Sequence, residues 1–313
     1  SKMMKFDPNK ITTGICGTDH ALYNGLPGSA AAVPPIVLGH ENSGIVAKVG
    51  SKVTDVKVGD RVTVDPNIYC GQCRYCRTGR KELCDNLSAV GVTRNGGLEE
   101  YFTAPSTQVY QVPDNVPLKA AAATEPISCA VHGIKLLKLT PYQKALVIGD
   151  GFMGQLFVQI LQAYGVHQVD FAGIEENRLA LNKEKFGVTN TFNTAKGDKI
   201  PSDYDVVIEA VGLPQTQEEA VNATTKGAQV LMFGVGKPNQ EFKMNTYEVY
   251  QKQLTIQGSF INPDAFEDSL ALLSSGKLNI LPLISHEPSL DQVTQYLDGT
   301  AKGVSKAVVK VGE

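Results

Sequence analysis

Lys144-Ala145-Leu146-Val147-Ile148-Gly149-Asp150-Gly151-Phe152-Met153-Gly154 reads as an apolar strand, a glycine turn and the opening of a helix. A Gly-x-Gly-x-x-Gly spacing alone is a weak signal. Here a strand precedes it, and apolar residues at helical spacing (Leu156, Val158, Ile160, Leu161) follow. In that setting Gly149 permits the tight turn, Gly151 lets backbone approach a pyrophosphate, and Gly154 lets helix pack on strand. The helix start at Phe152 and Met153 then faces the phosphates.

The rhythm continues outward from this turn. Strands are expected at residues 168–174, 205–211, 229–233 and 254–260, with helices at 152–164, 177–186 and 266–273. Such alternation argues for a parallel sheet covered by helices. About twenty residues beyond the turn, an acidic residue usually grips the adenosine ribose. Gly173 occupies that strand end. Glu175 can swing back to the ribose, or the missing carboxylate makes room for a 2′-phosphate that Arg178 can pair with. NAD and NADP both remain open. Val211, Gly234, Val235 and Phe260, near the ends of later strands, complete the expected cofactor-binding set.

Upstream, residues 11–65 are rich in Gly, Val and Pro with short apolar runs, the texture of a small barrel. Further strands are expected at 98–102 and 108–112, and a helix from Ala120 past His132 to Leu137. Ala307-Val308-Val309-Lys310-Val311 closes the chain as a strand that returns to the first lobe.

Cys70-x2-Cys73-x2-Cys76-x7-Cys84 places four thiolates on one loop, enough to close a tetrahedron around zinc. A ferredoxin-type cluster would bring its fourth cysteine after three residues and follow it with Pro; Cys84 comes after seven and precedes Asp85. A zinc-ribbon nucleic-acid module would sit in a basic domain, whereas Arg74, Arg77, Arg80 and Lys81 make only a local patch. With four protein ligands the site is structural.

A second ligand set lies at Cys16-Gly17-Thr18-Asp19 and Gly39-His40-Glu41. Thiolate, imidazole and carboxylate are donors that zinc prefers, and a hydroxyl stands beside the first of them.

The 313 residues suit two domains, and 42% hydrophobic residues supply their cores. A net charge of −3 gives no global attraction to nucleic acid or anionic lipid. No apolar run approaches the ~18 residues of a membrane span, and Ser1-Lys2-Met3-Met4-Lys5 does not read as a signal peptide. The expectation is a soluble, cytoplasmic protein whose six cysteines are reduced. Cys129 reads as a small buried residue, His132 as packed on an apolar helix, and His167 and His286 as exposed. His20 and Tyr23 have competing readings as pocket or packing residues.

Cys-Gly-Thr-Asp, Gly-His-Glu, the four-cysteine lobe, Glu125-Pro126 and the glycine turn occur in the order found in the zinc-containing medium-chain dehydrogenases. The chain resembles that family from about Gly14 onward, and most of all its sorbitol or polyol branch. Gly258-Ser259-Phe260-Ile261-Asn262-Pro263 is similar to bacterial members acting on sugar alcohols or their phosphates. The resemblance implies an α/β plus β fold: a GroES-like barrel of residues 1–126 completed by 261–313, and a doubly wound Rossmann domain of 127–260, with the active site in the cleft between them. It implies catalytic zinc on Cys16 and His40, with Glu41 and Glu125 both at the site and either carboxylate bound at a given step. Asp19 would hold the histidine ring, and Thr18 would pass the substrate proton outward. Two zinc ions per chain, NAD or NADP, a small alcohol or polyol substrate and a homodimer or homotetramer follow from it.

There are departures from the pattern. Only fifteen residues precede Cys16, where relatives carry more strand, and Lys10–Ile11 reads like a splice. Ala21, with His20 one place off, stands where alcohol dehydrogenases keep a relay histidine. Ile261 stands where sorbitol-type enzymes have Arg. The competing readings are a zinc dehydrogenase for a sugar, threonine or simple alcohol, and a non-catalytic nucleotide-sensing zinc protein.

Overall fold

The computed structural model describes residues 5–6, 11–28 and 30–311; Ser1 to Met4, Lys10 and the reading of that opening lie outside the described residues. The chain divides into two compact units, residues 1–129 with 261–313, and residues 130–260.

The first unit opens with β1 (Lys5–Phe6), β2 (Ile11–Ile15), α1 (Gly17–Tyr23), β3 (Glu41–Lys48) and β4 (Arg61–Val64). β5 (Asn67–Ile68), α2 (Arg74–Arg77), β6 (Ser88–Ala89) and β7 (Val109–Gln111) follow, then α3 (Leu118–Ala121) and α4 (Thr124–Lys135). Sequence reading did not anticipate α1, because Gly-Thr-Asp-His carries no apolar period. It is started by a capping box: the Cys16 sulfur accepts from the Thr18 amide at 3.2 Å, and Asp19 accepts from the Cys16 amide at 3.0 Å. The expected strand at 98–102 is not one. The Gly97 and Leu98 amides instead donate to Gly39 and Leu38 carbonyls, at 2.8 and 3.1 Å, as a loop laid against the His40 turn. The single helix expected from Ala120 is two, with a break at Ala122 and Ala123.

The second unit alternates as expected: β8 (Lys144–Ile148), α5 (Phe152–Ala163), β9 (Gln168–Gly173), α6 (Glu176–Lys185), β10 (Thr191–Asn193) and β11 (Tyr204–Glu209). α7 (Pro214–Asn222), β12 (Thr224–Met232), α8 (Thr246–Lys252) and β13 (Thr255–Gly258) complete it. All six strands are parallel in the order β10-β9-β8-β11-β12-β13. That is a doubly wound sheet whose order reverses between β8 and β11, so the glycine turn after β8 stands at the switch point. Leu146, Val207, Val230 and Tyr204 are fully buried in it, as strands covered on both faces require. α7 and α8 escaped sequence reading because they are polar; Pro at the first position of α7 was the available signal.

The chain then returns to the first unit through α9 (Phe266–Ser274), α10 (Thr294–Leu297) and β14 (Ala307–Val311). β14 pairs antiparallel with β2, so the sheet runs β14-β2-β3-β4-β7 with β1 on β3. Val46, Val62, Val64, Phe102 and Val309 form its core, each side chain stabilising by roughly 1.5–3 kcal/mol. Among the described residues no helix is long and apolar enough to cross a membrane.

Candidate active site

The first ligand set is assembled by strand pairing. Gly14 pairs with Glu41 across β2 and β3, which brings Cys16, just past the end of β2, beside His40, just before β3. The Cys16 sulfur lies 3.1 Å from His40 Nε2. Cys16, His40 and Glu41 each offer a ligand atom within 4.8 Å of the others. Gly39 makes the approach possible: it turns at φ 99°, and a Cβ there would strike Thr13 and Leu98 at 2.8–2.9 Å.

Behind the histidine lies Asp19, fully buried. Its Oδ1 accepts from His40 Nδ1 at 3.2 Å and from the Gly39 amide at 3.2 Å. Burial alone would raise the Asp19 carboxyl, but the charge and hydrogen bond of His40 outweigh it and hold it below the usual carboxylate value. His40 goes the opposite way. Burial disfavours its charge, yet Asp19 and then Cys16 lift it well above an ordinary imidazole.

Glu41 has a partner that sequence reading missed. Lys306, the residue before β14, is 3% exposed, and its Nζ donates to Glu41 Oε1 at 2.6 Å and pairs with Oε2. The carboxylate has room because residue 14 is glycine; a Cβ there would lie 1.9 Å from Glu41 Oε2. Glu125 is buried near the start of α4, its carboxyl raised first by burial, lowered by His40 and raised again by Glu41. Among the described residues its oxygens are not in the convergent set with Cys16 and His40. The Cys129 thiol, one turn on, donates to Glu125 Oε1 at 3.3 Å, so it is a polar partner as well as a packed side chain. Thr18 is half-buried beside Cys16, and His20 Nδ1 sits 2.7 Å from the Leu297 carbonyl.

The second set is local. Cys70, Cys73, Cys76 and Cys84 bring their sulfurs within 4.8 Å of one another, and none is in a disulfide. Amides of Gln72 and Cys73 donate to the Cys70 sulfur at 3.4 Å and bring that thiol down to about 6. Burial pushes Cys76 up to about 12. Four clustered thiols suit a dication, which deprotonates them all. The donor chemistry of both sets fits zinc.

In the second unit the glycine turn has the geometry its motif demands. Gly149 sits at φ 114°, and a Cβ on Gly154 would lie 1.6 Å from the Gly149 carbonyl oxygen, while one on Gly151 would meet open space. Glu209 accepts from the Val211 and Gly212 amides at 2.9 Å each and from Thr216, fixing the loop that carries Val211. Val211, Val235 and Phe260 are exposed. Glu175 is exposed as the N-cap of α6, and Arg178 Nη1 donates to the Asp150 carbonyl at 3.4 Å. Asp150 is the residue not singled out from sequence: its Oδ2 accepts from the amides of Ile174 at 2.8 Å and Glu175 at 2.6 Å.

Comparison with known proteins agrees with this layout. Residues 10–114 match the alcohol dehydrogenase GroES-like domain, and residues 153–275 match the zinc-binding dehydrogenase domain. L-threonine 3-dehydrogenase of Pseudoalteromonas atlantica is 33% identical over 308 residues, 95% of this chain and 89% of that protein. D-xylulose reductase A of Aspergillus niger is 33% identical over 288 residues, 87% of this chain and 80% of that one. Among solved structures, a Sinorhizobium meliloti protein described as a zinc-binding dehydrogenase, with NADP bound, superposes with a TM-score of 0.90 at 30% identity over 99% of both chains. The chain therefore belongs to the zinc-containing medium-chain alcohol dehydrogenase family and is a zinc-binding, NAD(P)-dependent dehydrogenase.

Proposed function

We propose that this chain oxidises a secondary alcohol of a polyol or polyol phosphate and passes the hydride to NAD(P). One observation carries the reading: Cys16, His40 and Glu41 converge with a buried carboxylate, Asp19, behind the imidazole. Cys16 and His40 would hold the catalytic zinc with Glu41 or Glu125, and that zinc would supply a Lewis acid favouring the ionised substrate hydroxyl. The nicotinamide supplies the hydride acceptor. Asp19, on Nδ1, would keep the imidazole in the tautomer that leaves Nε2 for the metal. Thr18 Oγ1 would take the substrate proton and pass it outward. Cys70, Cys73, Cys76 and Cys84 would hold a second zinc that braces their loop. Gly149, Gly151, Phe152, Met153 and Gly154 would cradle the pyrophosphate.

The similarity to D-xylulose reductase supports the polyol class. A second reading, oxidation of the hydroxyl of an amino acid such as L-threonine, is favoured by the relative matched over 95% of this chain. Zinc-loaded protein should be given polyols, polyol phosphates, L-threonine and simple alcohols with NAD⁺ and NADP⁺, following absorbance of the reduced nicotinamide. Turnover confined to polyols or their phosphates is expected. Turnover of L-threonine alone would replace the substrate class, and none with any alcohol would defeat the reading.

A further inference from the structure

We propose that Asp150 is the specificity-determining residue for the adenosine ribose and that it selects NAD over NADP, an inference that rests on the dinucleotide reading of the glycine turn. The carboxylate that usually closes the second strand is replaced here by Gly173, the last residue of β9. The space is filled from elsewhere. A Cβ built on Gly173 would lie 2.4–2.5 Å from the Oδ2, Cγ and Cβ atoms of Asp150. The acid is therefore at the strand end, supplied by the middle residue of Gly149-Asp150-Gly151 instead of by the strand.

Its orientation bears on the cofactor. Asp150 Oδ2 accepts from the consecutive amides of Ile174 and Glu175, at 2.8 and 2.6 Å. Two adjacent backbone N–H groups beyond a strand end make an anion site that a 2′-phosphate could use. In this chain they are already satisfied by a fixed carboxylate. Among the described residues no donor meets Asp150 Oδ1, which leaves it as an acceptor for a ribose 2′-hydroxyl. A phosphate there would meet like charge with no vacant donor pair. Each of two cations in the adjoining segments has a partner of its own. Arg178 Nη1 donates to the Asp150 main-chain oxygen at 3.4 Å, and Lys196 is paired with Glu176 at 2.8 Å.

The test is binding, independent of turnover. Zinc-loaded full-length protein is titrated with NADH and with NADPH by nicotinamide fluorescence, for wild type, Asp150→Asn, Asp150→Ala, Gly173→Asp and the Asp150→Ala/Gly173→Asp double variant. Wild type should bind NADH at least about tenfold tighter than NADPH. Asp150→Asn, which keeps the shape, should narrow that ratio several-fold by strengthening NADPH. Asp150→Ala should narrow it by weakening NADH as well. Gly173→Asp alone should bind both poorly, because the two side chains collide. The double variant should recover the NADH preference by putting the acid back on the strand. NADPH bound as tightly as NADH by wild type, or an unchanged ratio in folded Asp150→Asn, would overturn the proposal. Failure of wild type to bind either nucleotide would instead remove the dinucleotide reading beneath it. Should Asp150→Ala fail to fold, the wild-type ratio and Asp150→Asn still decide.

Discussion

The two clusters of metal-ligand side chains are built in opposite ways. Cys70 to Cys84 draws all four donors from one fifteen-residue loop, and backbone amides of the same loop point at its sulfurs. The cluster at Cys16 draws on two strands, a helix and a lysine 265 positions from its partner. It also gathers more acid than it neutralises: buried Asp19, Glu41 and Glu125 with the half-buried Cys16 thiol, against His40 and Lys306. A local, saturated set holds a loop together. A set assembled from afar, with surplus carboxylate and no fourth convergent donor among the described residues, would leave a dication able to accept another ligand.

That contrast can be broken most sharply at His40. In His40→Ala, zinc per chain should fall from two to one by elemental analysis, and turnover should drop at least ~10³-fold, since several kcal/mol of Lewis-acid stabilisation are lost. Loss of both ions would show that the clusters are not independent. Lys306→Met comes next. It strands a buried carboxylate at Glu41, which should cost about 3–5 kcal/mol in denaturant unfolding. Lys306→Met/Glu41→Gln should recover much of it, and equal instability of single and double variants would mean that the pair matters for packing alone. Cys76→Ser should be milder on chemistry than on structure. Destabilisation of about 3 kcal/mol and proteolytic nicking within residues 66–88 are expected, with the zinc at Cys16 retained. An unchanged melting temperature would remove the bracing role.

Legibility in the sequence followed the same division. The parallel sheet was readable because its strands are short apolar runs between helical periods, and β14 because a closing run of Val and Ala has few other uses. The cysteine loop was readable because its spacing is local. The false strand at 98–102 had strand-like composition, yet the Leu98 amide at its head is taken by the Leu38 carbonyl of the turn before His40. α1 was hidden because its cap is a thiol, outside the usual Ser, Thr, Asp and Asn. Lys306 and Asp150 were hidden for a deeper reason. Each matters through a partner that only folding delivers, Lys306 across β14 and β2 and Asp150 across the end of β9. A lysine before a strand and an acid between two glycines carry no local mark of such roles.

The excess of buried acid extends one residue past β4, to Asp65, and gives the smallest expected effect. Asp65 is 5% exposed; its Oδ1 accepts from the Asn67 amide at 3.0 Å and from Asn262 Nδ2 at 3.3 Å. Burial pushes its carboxyl up to about 7, and those two hydrogen bonds offset only part of that rise. An unfolded aspartate titrates near 3.9. Between those values the folded chain holds a proton that the unfolded chain releases, so the contribution of Asp65 to stability is fullest below pH ~4 and is lost as pH rises through about 7. Asp65→Asn keeps an oxygen for both donors and cannot ionise. It should match wild type near pH 4 and exceed it by on the order of 2 kcal/mol above pH 7, read as a melting-temperature advantage over wild type that grows across that window. A variant less stable than wild type at pH 8 would mean that the charged carboxylate is sustained there, and that the surplus acid around the Cys16 cluster is better compensated than its neighbours suggest.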